Sequence, residues 1–321
     1  IEISNIRFTS RDFLNIIECT EFTIFEHTIP FIKLINMTEN QKFFIENGYY
    51  IERNLYSEND MNEMFILFYD IFVTLADKFS VPLTKKYIKP NDISYPNDLK
   101  QLDSLMLDCF NFDKGIIGEG YDIISYSSIF LRFLSSTKVE NLSKELLNIS
   151  ANSTLYGWTN RVRIDPPSDE RRTYGWHQEV FYTIPESRYL QTWCPVIRDT
   201  TSSNGTIWIA PGSHKEGIAK QSWNEIEGRA TQVIVDQGTI DKYPQIQLEM
   251  KVGDVLFFDG KLSHKSGSNI TEDEIRFSLV GMWHDIKTKN FRGPLPNFLH
   301  RTEFDQKSYW EKCNQENNWG Y

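Results

Sequence analysis

The chain has 321 residues, 40% of them hydrophobic and 14% aromatic, which is enough apolar material for one sizeable core with helices around it. Acidic residues outnumber basic ones by 44 to 34, and the net charge of −10 disfavours nucleic acid, or any other polyanion, held on a general basic surface. Cys19, Cys109, Cys194 and Cys313 lie far apart with no C-x-x-C spacing, which argues against a zinc knuckle or a disulfide scaffold and fits reduced thiols in a cytoplasm.

Residues 1–37 read as an N-terminal extension, and Ile1 opens no charged-then-apolar leader. From residue 38 the pattern predicts a helix, a turn at Asn47-Gly48, a short strand, and Ser57 as the N-cap of a second helix. Met61, Met64, Phe65, Phe68, Phe72, Leu75, Ala76 and Phe79 trace one face of that helix. Asp70 and Asp77 interrupt its apolar run, which is too short to span a bilayer, so it is expected to be buried. Residues 83–126 read as an excursion with Pro and Asp turns, and 127–148 return to helical periodicity.

Beyond about residue 157 the chain changes character. Short β-rich runs bounded by turns follow: "TLYGWTNRVRI", "VFYTI", "LQTWCPVI", "GTIWIAPG", "TQVIV", "DVLFFDG" and "IRFSLVGMW". The expected fold is mainly β with flanking helices, a double-stranded β-helix (jelly roll, cupin-like) core over about 155–285 with helices packed outside. The enzyme domain then covers 38–290, with 213–247 as a second excursion and 291–321 as a C-terminal tail packed on the domain. The six N-x-S/T matches are what chance gives in an Asn-rich chain.

Only six histidines are present: His27, His177, His214, His264, His284 and His300. His177 and Glu179 are two apart, so on a strand they share a face. His264 ends a later β-run in "GDVLFFDGKLSHKSGSN". Two imidazoles and one carboxylate on one side of a metal, with the other side open, suit a non-heme Fe(II) that binds O2 and a co-substrate together. Twelve residues past His264, Arg276 and Ser278 alternate with apolar neighbours and share a face. A guanidinium with a nearby hydroxyl can grip the far end of a dicarboxylate such as 2-oxoglutarate. Alone, an H-x-E is often a chance match and a strand arginine is usually solvated; four linked elements in this order make coincidence a poor account.

These motifs resemble the phytanoyl-CoA dioxygenase family of Fe(II)/2-oxoglutarate-dependent oxygenases, from about residue 40 to 285. The resemblance rests on "RIDPPSDERRTYGWHQE", "LQTWCPV", "NGTIWIAPGSHKEG" and "GDVLFFDGKLSHKSGSNITEDEIRFS", with "ENGYYIERNLYS" at the start. It implies His177, Glu179 and His264 as iron ligands and Arg276 as the residue for the 2-oxoglutarate 5-carboxylate. It also implies Gln178, Trp193 and Ser266 as co-substrate contacts, His214 and His284 as structural, and Fe(II), 2-oxoglutarate and O2 as cofactor and co-substrates. One departure is Glu179, where the family usually has Asp; the longer side chain must be absorbed by the backbone or the rotamer. It also excludes the halogenase relatives, which need a small residue there.

The expected activity is that of a 2-oxoglutarate-dependent dioxygenase hydroxylating an unactivated C–H bond of a small metabolite, glycan precursor or natural-product intermediate in biosynthesis. Arg161, Arg163, Trp176 and Phe181 are candidate substrate contacts, beside Arg171, Arg172, Tyr174 and Tyr182. Two other classes fit the same barrel: a ligand-binding protein that has lost catalysis, and a non-oxidative cupin-like isomerase or epimerase. Changing Arg276 would spare the isomerase and cripple the oxygenase.

Overall fold

In the computed structural model the described residues are 37–184, 186–289, 291 and 305–319. The 1–37 extension, apart from its last residue, and His27, His300 and Cys19 lie outside them. Helix α1 (Glu39–Asn47) leads through Gly48, at φ 80°, into strand β1 (Tyr49–Glu52). Helix α2 (Glu58–Phe79) is started by a full capping box, with Ser57 accepting from the Asp60 amide and Asp60 from the Ser57 amide. A cap of this kind contributes about 1 kcal/mol. The face predicted for α2 is buried as expected, with Met64, Phe65, Phe68 and Phe72 fully enclosed.

Two stretches differ from their sequence patterns. Residues 83–126 hold helices α3 (Leu99–Phe112) and α4 (Lys114–Ser125), whose apolar residues Leu102, Leu105, Met106, Ile116, Ile117 and Ile124 pack with α2. Their Pro and Asp residues mark the entry and the α3–α4 junction, where Asp113 caps Gly115. Residues 127–148 are two helices, α5 (Ser128–Leu134) and α6 (Thr137–Leu146), each started by its own serine cap.

Strand β2 (Leu155–Asp165) follows, then β3 (Tyr189–Pro195), β4 (Trp208–Ile209), β5 (Gln221–Asn224) and β6 (Gln232–Val235). After a one-turn helix α7 (Gln237–Ile240) come β7 (Ile246–Gln247), β8 (Val255–Asp259), β9 (His264–Lys265) and β10 (Arg276–Asp285). The 213–247 excursion thus contains a β-hairpin of its own. The expected "VFYTI" strand is absent: residues Glu179–Phe181 form a 3-10 turn instead.

The strands form antiparallel sheets. The largest has the order β1-β8-β3-β10-β2, and a second has β7-β4-β9. Period-two alternation divides the large sheet cleanly. Phe277 and Leu279 of β10, Val162 and Ile164 of β2, and Phe257 of β8 face the helices, where Phe68 of α2 stacks on Phe277 at 5.3 Å. Burying each such side chain contributes roughly 1.5–3 kcal/mol. The opposite face carries Trp193, Leu256, Phe258 and Val280, which pack with Ile207 and Ile209 near the second sheet. The helices therefore cover one side, and the other side is left for a site. Helix α8 (Gln306–Asn317) is capped by Asp305, and Trp310, Cys313 and the following Trp319 cluster with Val180, Phe181 and Val233. Among the described residues no helix is long and apolar enough to cross a membrane.

Candidate metal centre

His264 sits in β9, opposite Ile209 of β4. His177 joins it through an isolated antiparallel bridge: the His177 amide donates to the His264 carbonyl at 2.9 Å, and the His264 amide to the His177 carbonyl at 3.0 Å. Gln178 is extended, at φ −116° and ψ 150°, so its neighbours keep the same-side relation that a strand would give. Glu179 then opens the 3-10 turn, with its amide bound to the Gly260 carbonyl at 2.9 Å.

The three side chains converge. Glu179 Oε1 lies 3.3 Å from His264 Nε2 and 3.5 Å from His177 Nε2, and one ligating atom from each residue falls within 4.8 Å of the others. Each ring has its Nδ1 against a backbone carbonyl, His177 on Gly175 at 2.8 Å and His264 on Leu262 at 2.9 Å. An Nδ1–H donated there leaves the Nε2 lone pair free on the inner side, the tautomer a metal ligand requires. All three residues are buried. Burial pushes the Glu179 carboxyl up, but the two imidazoles beside it outweigh that push and hold the group below the ordinary carboxylate range. Burial and the neighbouring His177 hold His264 below the ordinary imidazole range, so it tends to the neutral form that binds a metal.

The trio lines a cavity of about 90 Å³ between the sheets. Arg276, Trp193, Ser266, Arg161 and Arg163 line it as well. Ser278 shares the face of β10 with Arg276 but does not itself line the cavity; it is fully enclosed and its Oγ has no hydrogen-bond partner. Arg276 is buried; its Nε and Nη2 donate to Asp165 Oδ2 at 3.2 and 2.5 Å, and its Nη1 donates to the Gly205 carbonyl. An unsatisfied buried hydroxyl beside a buried guanidinium is what an acidic ligand would complete.

Three expected contacts lie elsewhere. Gln178 points away from the cavity: its amide donates to the Gly217 and Lys261 carbonyls at 2.9 and 2.6 Å, and its oxygen accepts from Ala219 and Gln221. With both ends engaged it fixes the loop that carries His177 and Glu179. Trp176, next to the inward His177, points to the opposite side and packs among Ala210, Ala219, Val235 and Ile240, while Phe181 packs among Trp310, Trp319 and Val233 because the chain turns at Glu179. Arg171 is paired with Asp169 at 2.7 Å and Arg172 stacks 4.5 Å from the Tyr121 ring, so neither lines the cavity.

The other two described histidines have partners of their own. His214 Nε2 bonds the Ile45 carbonyl at 2.9 Å. His284 is clamped between the Thr183 and Ser187 hydroxyls, each at 2.7 Å. The cavity also recruits Gln191, Tyr174, Tyr182 and, behind Arg276, Asp165. Gln191 shares a strand face with Trp193 and has a buried, unpartnered Oε1; Asp165 is two residues past Arg163. Period two along β3 and β2 was the signal for both.

A two-histidine, one-carboxylate face opening on a cavity with a buried guanidinium has the donor set of a mononuclear non-heme iron oxygenase. The phytanoyl-CoA dioxygenase family model matches residues 44–278. Phytanoyl-CoA dioxygenase domain-containing protein 1 of Danio rerio is 27% identical over 188 residues, covering 57% of this chain and 62% of that protein. A probable phytanoyl-CoA dioxygenase of Caenorhabditis elegans is 24% identical over 240 residues, covering 73% of this chain and 71% of that protein. The iron-bound crystal structure of EctD from S. alaskensis superposes with a TM-score of 0.51 at 16% identity, over 83% of this chain and 84% of that one, and shares the fold. The chain belongs to the phytanoyl-CoA dioxygenase family, and with it to the Fe(II)/2-oxoglutarate-dependent dioxygenases.

Proposed function

We propose that His177, Glu179 and His264 hold Fe(II), and that Arg276 and Ser278 anchor the distal carboxylate of 2-oxoglutarate in the adjoining cavity. The single observation that carries this reading is the pair of Nδ1 contacts to backbone carbonyls, which turns both Nε2 atoms toward Glu179 Oε1. When bound, iron with 2-oxoglutarate and O2 supplies the oxidising power that cleaves a C–H bond, with loss of CO2 and formation of succinate.

The protein's own part is positioning and exclusion. The backbone bridge fixes the two imidazoles, the Gln178 amide fixes the loop between them, and Trp193, Ile207 and Val280 give the cavity a dry wall. Ser266 and Gln191 supply polar atoms to the cavity, and Arg161 lines it too as a candidate substrate contact. We read the two antiparallel sheets as halves of a double-stranded β-helix, residues 38–290 as the catalytic domain, the substrate as a small molecule and the reaction as a hydroxylation. The buried free thiols of Cys109, Cys194 and Cys313 suit a reducing cytoplasm.

The test is anaerobic titration of Fe(II) or Mn(II) followed by assay of succinate from 2-oxoglutarate under air, across candidate metabolites. One metal per chain, lost in His177→Ala, together with succinate formation, is the expected result. Metal binding without any turnover of 2-oxoglutarate would favour a ligand-binding barrel. Turnover of a metabolite that survives Arg276→Gln would favour an isomerase.

A further inference from the structure

The structure assigns Asp165 a positioning role: it bridges Arg163 and Arg276 so that the second guanidinium is presented, aligned and with one net positive charge between the three groups, to the distal carboxylate of 2-oxoglutarate. The inference rests on the reading of Arg276 given above and extends it to two residues of β2.

Asp165 and Arg276 are cross-strand partners in the β2–β10 register, as are Arg163 and Ser278. Asp165 uses both oxygens. Oδ2 takes the Nε and Nη2 of Arg276, and Oδ1 takes Nη2 of Arg163 at 3.3 Å. Arg163 is steadied a second time by the Arg172 carbonyl at 2.5 Å, and its guanidinium lies 5.6 Å from the centre of the Tyr174 ring. The end of β2 is tied down by Asn269, whose amide donates to the Asp165 carbonyl at 2.9 Å and the Glu274 carbonyl at 2.7 Å.

A carboxylate beside a carboxylate-binding arginine is a competitor only if it occupies the donors the ligand needs. A guanidinium has five N–H groups. Here Asp165 takes two and the Gly205 carbonyl takes one, which leaves one N–H on each terminal nitrogen. Those two can bind a further carboxylate while Asp165 stays in place. Two guanidinium charges against one carboxylate leave the cluster one charge positive, and a distal carboxylate brings it to neutrality, which is what a buried ionic group needs. The two arginines together hold the Asp165 carboxyl below the ordinary range against the upward push of burial, so the bridge is ionised at neutral pH.

The experiment compares two 2-oxo acids on the Mn(II)-loaded protein by calorimetry: 2-oxoglutarate, and 2-oxopentanoate, which has the same chain without the distal carboxylate. In Asp165→Asn the dissociation constant of 2-oxoglutarate is expected to rise roughly 10- to 100-fold, the range usual for a lost supporting contact, while that of 2-oxopentanoate and of Mn(II) stays unchanged. Unchanged or tighter 2-oxoglutarate binding would overturn the assignment, as would an equal loss for both acids, which marks general structural damage. Arg163→Gln, which leaves the core-facing Val162 and Ile164 in place, decides the matter should Asp165→Asn not fold. It cancels the net charge and is expected to weaken 2-oxoglutarate selectively; unchanged affinity overturns the proposal. If the wild-type protein binds Mn(II) and 2-oxopentanoate yet shows no preference for 2-oxoglutarate, the reading of Arg276 itself falls.

Discussion

His177 and His264 hold one another by their backbones, each amide donating to the other's carbonyl at 2.9 and 3.0 Å. The rings they carry have centroids 4.2 Å apart. At a free Mn(II) concentration 100 times its dissociation constant the fold should gain about 2.7 kcal/mol. Thermal melts with and without the ion check this, and the gain should vanish in His264→Ala. A melt that the metal shifts equally in wild type and variant would rule the trio out as its binding site.

Glu179 reaches both Nε2 atoms with one oxygen, at 3.3 and 3.5 Å, from a turn anchored on Gly260. Shortening it to Asp withdraws the carboxylate by about one C–C bond projection, on the order of 1 Å. Glu179→Asp is expected to weaken metal binding by roughly 10-fold or more and Glu179→Gln further still, the contact being direct rather than supporting. Competition with a chromogenic chelator measures both. Tighter binding by the Asp variant would mean that the backbone here is already placed for the shorter ligand.

His284 is enclosed between two hydroxyls and stacked on Tyr189 at 4.7 Å, and burial takes its pKa from 6.5 down to about 3. The unfolded chain then binds the extra proton first, so the stability His284 contributes is complete above pH 6.5 and is lost as pH falls toward 3. The stability difference between wild type and His284→Gln should shrink by roughly 1.4 kcal/mol per pH unit across that window. Asp103 acts with the opposite sign: burial raises its carboxyl from 3.8 to about 6, so its contribution is complete below 3.8 and is lost as pH rises through 6. Denaturant melts of the wild type alone would blur the two; the difference from the variant isolates His284. A difference that stays constant with pH would show that His284 is protonated in the fold.

Trp310 packs with Phe181, two residues past Glu179, and its ring lies 5.8 Å from that of Trp223. Trp310→Ala is expected to cost about 3 kcal/mol, the low end for a buried tryptophan, and to weaken metal binding because Phe181 belongs to the 3-10 turn that Glu179 opens. Urea melts and the chelator competition read the two effects separately. Stability lost with metal affinity intact would uncouple the C-terminal helix from the site.

Burial pushes the thiols of Cys109 and Cys194 up to about 12. Neither should react with iodoacetamide at pH 8 in the native protein, and both should in urea, as peptide mass analysis would reveal. Stoichiometric native labelling of either would show that the core opens locally.

The convergence of His177, Glu179 and His264 and the shared face of Arg276 and Ser278 could be read from the chain because each sits in a local pattern: H-x-E, a histidine closing a β-run, and R-x-S with period two. Helix α2 was equally plain from its apolar face and from Ser57. What local pattern did not carry was direction beyond the next residue. Gln178 lies between two inward side chains and must point outward, so alternation itself removes it from the cavity. Trp176, on the other side of His177, is turned outward by the same alternation, and Phe181 is carried away because the chain leaves the extended conformation at Glu179, where "EVF" has the β-branched and aromatic content of a strand. Helices α3 and α4 were hidden by Pro and Asp residues that turned out to be boundaries. Asp165 was missed for another reason: its value depends on a partner 111 positions away.

The order β1-β8-β3-β10-β2 seats the last long strand between two made much earlier. β2 and β3 do not pair with each other; each pairs with residues 276–285, so this part of the sheet is joined only by contacts distant in sequence, which are slow to form. The strand that joins them carries Arg276 and Ser278, so the proposed anion site and the continuity of the sheet depend on the same ten residues.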